Sequence, residues 1–69
     1  MNTKEQIQLL YEVARQNSAG NTALLLEFLN WLHYEKGEVH HLQDMVGLSM
    51  IERAYIEQLL DGTIPKNQN

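Results

Sequence analysis

Residues 23–34 read ALLLEFLNWLHY, and this stretch decides the fold of the chain. Nine of its twelve residues are apolar. On a helical wheel the three polar residues, Glu27, Asn30 and His33, lie within an arc of about 120°, so roughly two thirds of the helix surface needs cover. Such a helix must be wrapped by neighbouring elements of the same chain or by a second copy of the protein.

A first helix is predicted upstream of this stretch, over residues 4–16. Thr3 and Gln6 have the spacing of a capping box, in which two side chains satisfy free backbone N–H groups at a helix start. Turn formers follow this helix, and Asn21 or Thr22 can cap the central helix. The predicted apolar side of the first helix consists of Ile7, Leu9, Leu10, Tyr11, Val13 and Ala14.

Two further helices are predicted downstream. Apolar residues recur at helical spacing at Val39, Leu42, Met45 and Val46. They predict a short third helix that ends at Gly47. Ser49 and Glu52 form a second capping box, which starts a fourth helix over about residues 50–60. The predicted core side of this last helix consists of Ile51, Tyr55, Ile56 and Leu59.

These elements predict an all-α fold, a small bundle of about four short helices that forms one domain over residues 1–62. Pro65 prevents further helix, so residues 63–69 are predicted to be a flexible C-terminal tail. The chain contains no cysteine, which fits a reducing compartment. We find neither a secretory signal pattern nor the run of about 20 apolar residues that a membrane span needs, so we expect a cytoplasmic protein.

Charge and composition narrow the classes of function. The formal net charge is −4 and the chain has only five Lys and Arg residues, which disfavours nucleic acid and anionic membranes as partners. No cysteine nucleophile and no glycine-rich phosphate loop is present, so the sequence predicts no enzyme, no cofactor and no small-molecule substrate. No pair among His33, His40 and His41 has i, i+4 spacing, and adjacent helical residues point about 100° apart, so no metal site is predicted.

Gly47 begins a turn over residues 47–49, and apolar residues stand on both sides of this glycine, at Leu42, Val46, Leu48 and Ile56. With this pattern, residues 39–62 resemble the helix-turn-helix of bacterial and phage transcription regulators. The resemblance implies a helical hairpin in the C-terminal half, with the second helix as the recognition helix. Two positions depart from the family pattern: Gln43 stands where the first helix has a small residue, and Arg53 stands where the second helix has an apolar one.

The first hypothesis for function is a small regulatory protein that binds another protein or itself as a homodimer. The resemblance places such a protein in transcription control, as an antirepressor or adaptor of bacterial or phage type. Aromatic side chains dominate interface hot spots, and acidic groups suit a basic partner. The predicted partner-binding residues are Phe28, Trp31 and Tyr34, together with Glu52, Arg53, Glu57 and Asp61 of the last helix.

The alternative hypothesis is a minimal helix-turn-helix repressor that binds DNA. Its recognition helix would lie in the major groove, and the central helix would form the dimer. Arg53 and Gln58 are the predicted base readers in this case. Glu57 and Asp61 are predicted on the same side, where DNA phosphates would repel them.

Overall fold

The computed structural model describes residues 2–67 and contains three α-helices and one 3-10 turn. The helices are α1 (Thr3–Ser18), α2 (Thr22–Tyr34) and α3 (Met50–Leu60), and the 3-10 turn is Val39–Leu42. The prediction of an all-α fold is confirmed, and residues 2–67 contain no strand. The predicted number of about four helices is wrong, because the third predicted helix is only a 3-10 turn.

The first helix begins with a different cap from the predicted one. Asn2, and not Thr3, is the N-cap: its side-chain oxygen accepts a hydrogen bond from the backbone N–H of Glu5 at 2.8 Å. Asparagine is a favoured N-cap residue because its side-chain oxygen can accept a hydrogen bond from the third residue of the helix, and Asn2 therefore caps α1 in place of Thr3. At the other end the Ser18 hydroxyl donates to the carbonyl of Ala14, and α1 extends beyond the predicted residues 4–16.

The central helix ends at Tyr34 as predicted and begins at Thr22, one residue before the predicted stretch. The side chain of Asn21 accepts a hydrogen bond from the backbone N–H of Leu24 at 3.3 Å, which identifies Asn21 as the N-cap. After Tyr34 the chain turns at Gly37, whose φ of 65° lies in the left-handed region that favours glycine. The N–H of Gly37 donates to the carbonyl of His33 at 3.1 Å and closes the helix end.

The third predicted helix is replaced by a 3-10 turn and further turns. Residues after Leu42 form turns, and the Arg53 guanidinium donates to the carbonyls of Gln43 at 2.8 Å and Met45 at 2.9 Å. A helix of about eight residues is marginal by itself, and its last four carbonyls would have no partner within it, so the Arg53 contacts hold the turns without competing for the hydrogen bonds of that helix. The hairpin of two α-helices predicted for residues 39–62 is therefore not formed.

The last helix starts as predicted. The backbone N–H of Glu52 donates to the Ser49 hydroxyl at 3.2 Å, and the backbone N–H of Ser49 donates to the Glu52 carboxylate at 2.9 Å. Both bonds of the capping box are therefore present. The helix ends near Gly62, where the N–H of Thr63 donates to the carbonyl of Gln58 at 2.9 Å.

Each element of the fold contributes side chains to one core. The buried apolar residues are Tyr11, Leu25, Leu29, Leu32, Val39, Leu42, Ile56 and Leu59. The 3-10 turn supplies two of them, so it fills the place in the core that the predicted third helix would have occupied. The domain measures 30 × 25 × 23 Å. None of the helices within residues 2–67 has the length and apolar character needed to cross a membrane.

The segment after Gly62 runs along α2. The buried side chain of Asn30 donates to the carbonyl of Pro65 at 3.0 Å and accepts from the backbone N–H of Asn67 at 2.9 Å. Ile64 packs against the core. The predicted flexibility of the tail stays a prediction, and residues 68 and 69 of that tail lie outside the described part of the chain.

Candidate protein-binding surface

One side of α2 is apolar and only partly covered. Leu24, Phe28 and Trp31 follow each other at helical spacing and form what we call the α2 face. Leu24 is 49% exposed and Trp31 is 41% exposed, whereas Phe28 is partly buried and packs against the core. The ring centroids of Phe28 and Trp31 lie 5.8 Å apart, so two of the predicted partner-binding residues do lie together.

Tyr34 lies on the neighbouring side of the helix. Its hydroxyl donates to the carbonyl of Ile64, and its ring meets the edge of the His33 ring with centroids 4.6 Å apart. Trp31 and Tyr34 both line a cleft of about 340 Å³ between α2 and the segment after Gly62. The structure therefore places all three predicted aromatic residues on one helix, with Tyr34 at the border of the α2 face.

Charged side chains surround the exposed indole ring. The Lys36 ammonium lies 5.5 Å from the centroid of Trp31, within the range of a cation–π interaction. Glu27 lines the same cleft as Trp31, and Glu35 and Lys66 form an ion pair there. An apolar centre with a charged border is the usual anatomy of a protein interface.

The structure gives Glu52 a different role from the predicted acidic rim. Glu52 is only 6% exposed, and its Oε1 atom accepts the hydroxyl of fully buried Tyr11 at 2.8 Å as well as the Ser49 N–H. Burial and the hydrogen bond to Glu52 raise the pKa of Tyr11 well above its ordinary value. The carboxylate joins α1 to α3 and is not offered to a partner.

Arg53 also has a structural role, since its guanidinium holds the carbonyls of Gln43 and Met45. Glu57 lies beside Arg53 and Asp44 along a separate cleft of about 240 Å³. Asp61 is exposed at the end of α3, where its carboxylate accepts the hydroxyl of Thr63. The structure thus does not bring these predicted residues of α3 into the cleft that Trp31 and Tyr34 line.

Sequence reasoning missed a second exposed apolar group at the start of α3. Val46 is 91% exposed, Met50 is 89% exposed and Ile51 is 59% exposed. Val46 was predicted on the apolar side of a third helix and Ile51 on the core side of the last one. Both predictions are wrong: Val46 lies in a turn, and the buried residues of α3 are Glu52, Ile56 and Leu59, whereas Ile51 points about 100° away from Glu52. Leu9, Leu10 and Val13 of α1 are exposed as well.

The described residues include one group of potential metal ligands, Glu38, His40 and His41 at the 3-10 turn. Comparisons of the chain with protein-family models, with curated proteins and with solved structures give no match.

Proposed function

We propose that this protein is a small non-enzymatic regulator that acts by binding another protein, or a second copy of itself, through the α2 face. The observation that carries the proposal is the exposure of Trp31, at 41%, on the same side of α2 as Leu24. Tryptophan is among the residues most enriched in interface hot spots. An exposed indole ring beside a half-exposed leucine is costly in water, since burial of a large apolar side chain contributes about 1.5–3 kcal/mol.

Two of the three residues of this face, Leu24 and Trp31, lie outside the core, and Phe28 packs against it. Eight apolar residues are buried, with at least one from each element, and neither Leu24 nor Trp31 is among them. The apolar surface of α2 is thus in excess of what the single chain uses for folding. The exposed residues of α1, Leu9, Leu10 and Val13, add further apolar surface that a partner could cover.

The charges support a protein partner over nucleic acid. The net charge is −4 and Arg53, one of the two predicted base readers, is already bound to backbone carbonyls. Transcription control, as an antirepressor or adaptor, stays a prediction that rests on the partial resemblance of residues 39–62 to helix-turn-helix regulators. The DNA-binding alternative also stays a prediction, and a gel-shift titration at low salt tests it separately.

Sedimentation equilibrium tests the homodimer form of the proposal. We expect the wild-type chain to associate, and we expect Trp31→Ala to raise the dimer Kd by about 30-fold or more while the protein stays folded, as for a hot-spot residue. Met50→Ala is the matched control, because Met50 is an exposed apolar residue outside the α2 face. Equal association of both variants would contradict the proposal.

A heteromeric partner is tested by a photo-crosslinking amino acid at position 31 or at position 46. Both positions are exposed, but only position 31 belongs to the α2 face. We expect a defined protein adduct in the native host from position 31 and none from position 46. Adducts from both positions would contradict the proposal. So would the absence of adducts from both positions if the wild-type chain is also a monomer in sedimentation equilibrium.

A further inference from the structure

The 3-10 turn brings together three side chains that bind metals in proteins. Glu38, His40 and His41 each offer one ligand atom, and these atoms all lie within 4.8 Å of one another. The Nε2 atom of His41 lies 2.8 Å from a carboxylate oxygen of Glu38. We propose that these three residues bind a divalent transition-metal ion of the zinc type, a function that does not depend on the α2 face.

The 3-10 turn places Glu38 and His41 on one side. Residues three apart in a 3-10 turn lie above one another, and the N–H of His41 donates to the carbonyl of Glu38 at 3.2 Å. His40 and His41 are adjacent, and adjacent residues of a 3-10 turn point about 120° apart, so the side chains and not the backbone bring the two imidazoles together. The ring centroids of His40 and His41 lie 4.1 Å apart, and the ligand atom of His40 lies within 4.8 Å of those of Glu38 and His41.

The backbone of the turn is held in place by the core. Val39 and Leu42 flank the two histidines and are fully buried. The side-chain amide of Gln8 donates to the carbonyl of His41 at 3.4 Å and attaches the turn to α1. The ligands therefore lie on a fixed backbone, which reduces the loss of conformational entropy when an ion binds.

The distances fit a metal ion after a small adjustment. Metal–ligand bonds of about 2.0–2.2 Å place neighbouring ligand atoms about 3.0–3.4 Å apart. The pair formed by Glu38 and His41 needs a shift of a few tenths of an ångström from its 2.8 Å separation. The exposed side chain of His40 can rotate to close the remaining gap.

The donor set selects the class of ion. Two imidazole nitrogens and one carboxylate oxygen suit Zn²⁺, Ni²⁺ and Cu²⁺, whereas Mg²⁺ and Ca²⁺ prefer oxygen ligands only. Three protein ligands leave at least one coordination position for water or for a group from outside the chain.

Isothermal titration of the full-length, untagged protein with ZnCl₂ tests the site. We expect one Zn²⁺ per chain, and no binding of Mg²⁺ under the same conditions. His40→Ala and His41→Ala should each weaken Zn²⁺ binding by about tenfold or more. Loss of a residue that only hydrogen-bonds to a metal ligand already weakens binding by this much, and these two residues would be ligands themselves. His40 is exposed, so its variant should keep the helical circular dichroism of the wild type.

His33→Ala is the matched control, because His33 is the one histidine of the sequence outside the group. We expect this variant to bind Zn²⁺ as the wild type does. Absence of binding up to millimolar ZnCl₂, or unchanged affinity in a folded His40→Ala variant, would overturn the proposal. Loss of binding in His33→Ala would overturn it as well, since the ligands would then be different.

Discussion

Replacement of Glu52 by alanine should destabilise the protein strongly, because the carboxylate of Glu52 is buried and hydrogen-bonded. The Oε1 atom of Glu52 accepts two hydrogen bonds, from the Tyr11 hydroxyl at 2.8 Å and from the Ser49 N–H at 2.9 Å. Tyr11 is fully buried, so its hydroxyl would be left without this partner. A buried donor without a partner costs about 1–3 kcal/mol, and loss of a capping interaction costs about 0.5–2 kcal/mol.

The two effects together predict a loss of about 1.5–5 kcal/mol for Glu52→Ala. A chain of this length has a total free energy of unfolding of about 3–10 kcal/mol. Each kcal/mol lowers the melting temperature of so small a domain by about 4–8 °C, so we expect a decrease of roughly 6–40 °C. Thermal and urea unfolding followed by circular dichroism measure both quantities.

The controls separate the structural role of Glu52 from a surface role. Glu57→Ala removes an exposed glutamate of the same helix and should change stability by no more than about 0.5 kcal/mol. A double-mutant cycle with Tyr11→Phe should give a coupling energy of about 0.5–3 kcal/mol, because the two side chains share one hydrogen bond. Equal stability of the Glu52→Ala and Glu57→Ala variants, or zero coupling to Tyr11, would refute this reasoning.

Two further predictions concern the turns before α3. Arg53→Ala should lower stability by about 1–2 kcal/mol and speed hydrogen exchange in residues 43–48, because the carbonyls of Gln43 and Met45 lose their charged donor; unchanged exchange there would contradict the role we assign to Arg53. Lys4 lowers the pKa of Asp44 through a hydrogen bond and through its charge. The pair therefore stabilises the fold at pH values above the ordinary pKa of a carboxyl group, and this stabilisation is lost as the pH falls through the lowered pKa of Asp44. Asp44→Asn should therefore reduce the melting temperature at pH 7 and leave it unchanged near pH 2, whereas an equal reduction at both pH values would show that the charge is not the cause.

Local signals in the sequence were sufficient for much of the fold. The apolar periodicity of residues 23–34 predicted α2, and the caps at Asn21 and Ser49 lie where short-range hydrogen bonds place them. Such signals involve residues three or four apart, which the sequence shows directly.

What the sequence did not show depends on residues far apart in the chain. Arg53 reaches back 8–10 residues to hold the turns that stand in place of the third predicted helix, and the hydroxyl of Tyr11 binds the carboxylate of Glu52 from 41 residues away. Asn30 was predicted among the polar surface residues of the central helix, yet it is buried and binds Pro65 and Asn67. None of these contacts follows from periodicity.

For the candidate surface, the aromatic residues of α2 could be predicted because tryptophan and phenylalanine are large and the helix is apolar on most sides. The exposure of Val46, Met50 and Ile51 was not predicted, since it depends on the turns after Leu42 and on which side of α3 is buried. The histidine group was missed because the side-chain directions of Glu38, His40 and His41 do not follow from their spacing in the sequence.

The chain contains a single tryptophan, so its fluorescence reports on the α2 face alone. The most direct measurement is acrylamide quenching of Trp31, with the emission maximum, over protein concentrations from micromolar to millimolar. We expect an accessible, red-shifted indole at low concentration, and a blue shift with reduced quenching as a second copy covers it. The assignment of this face as a protein-binding surface would be contradicted by two results together. Quenching and emission would stay constant over the whole range of concentrations, and they would not change when a protein crosslinked through position 31 is added.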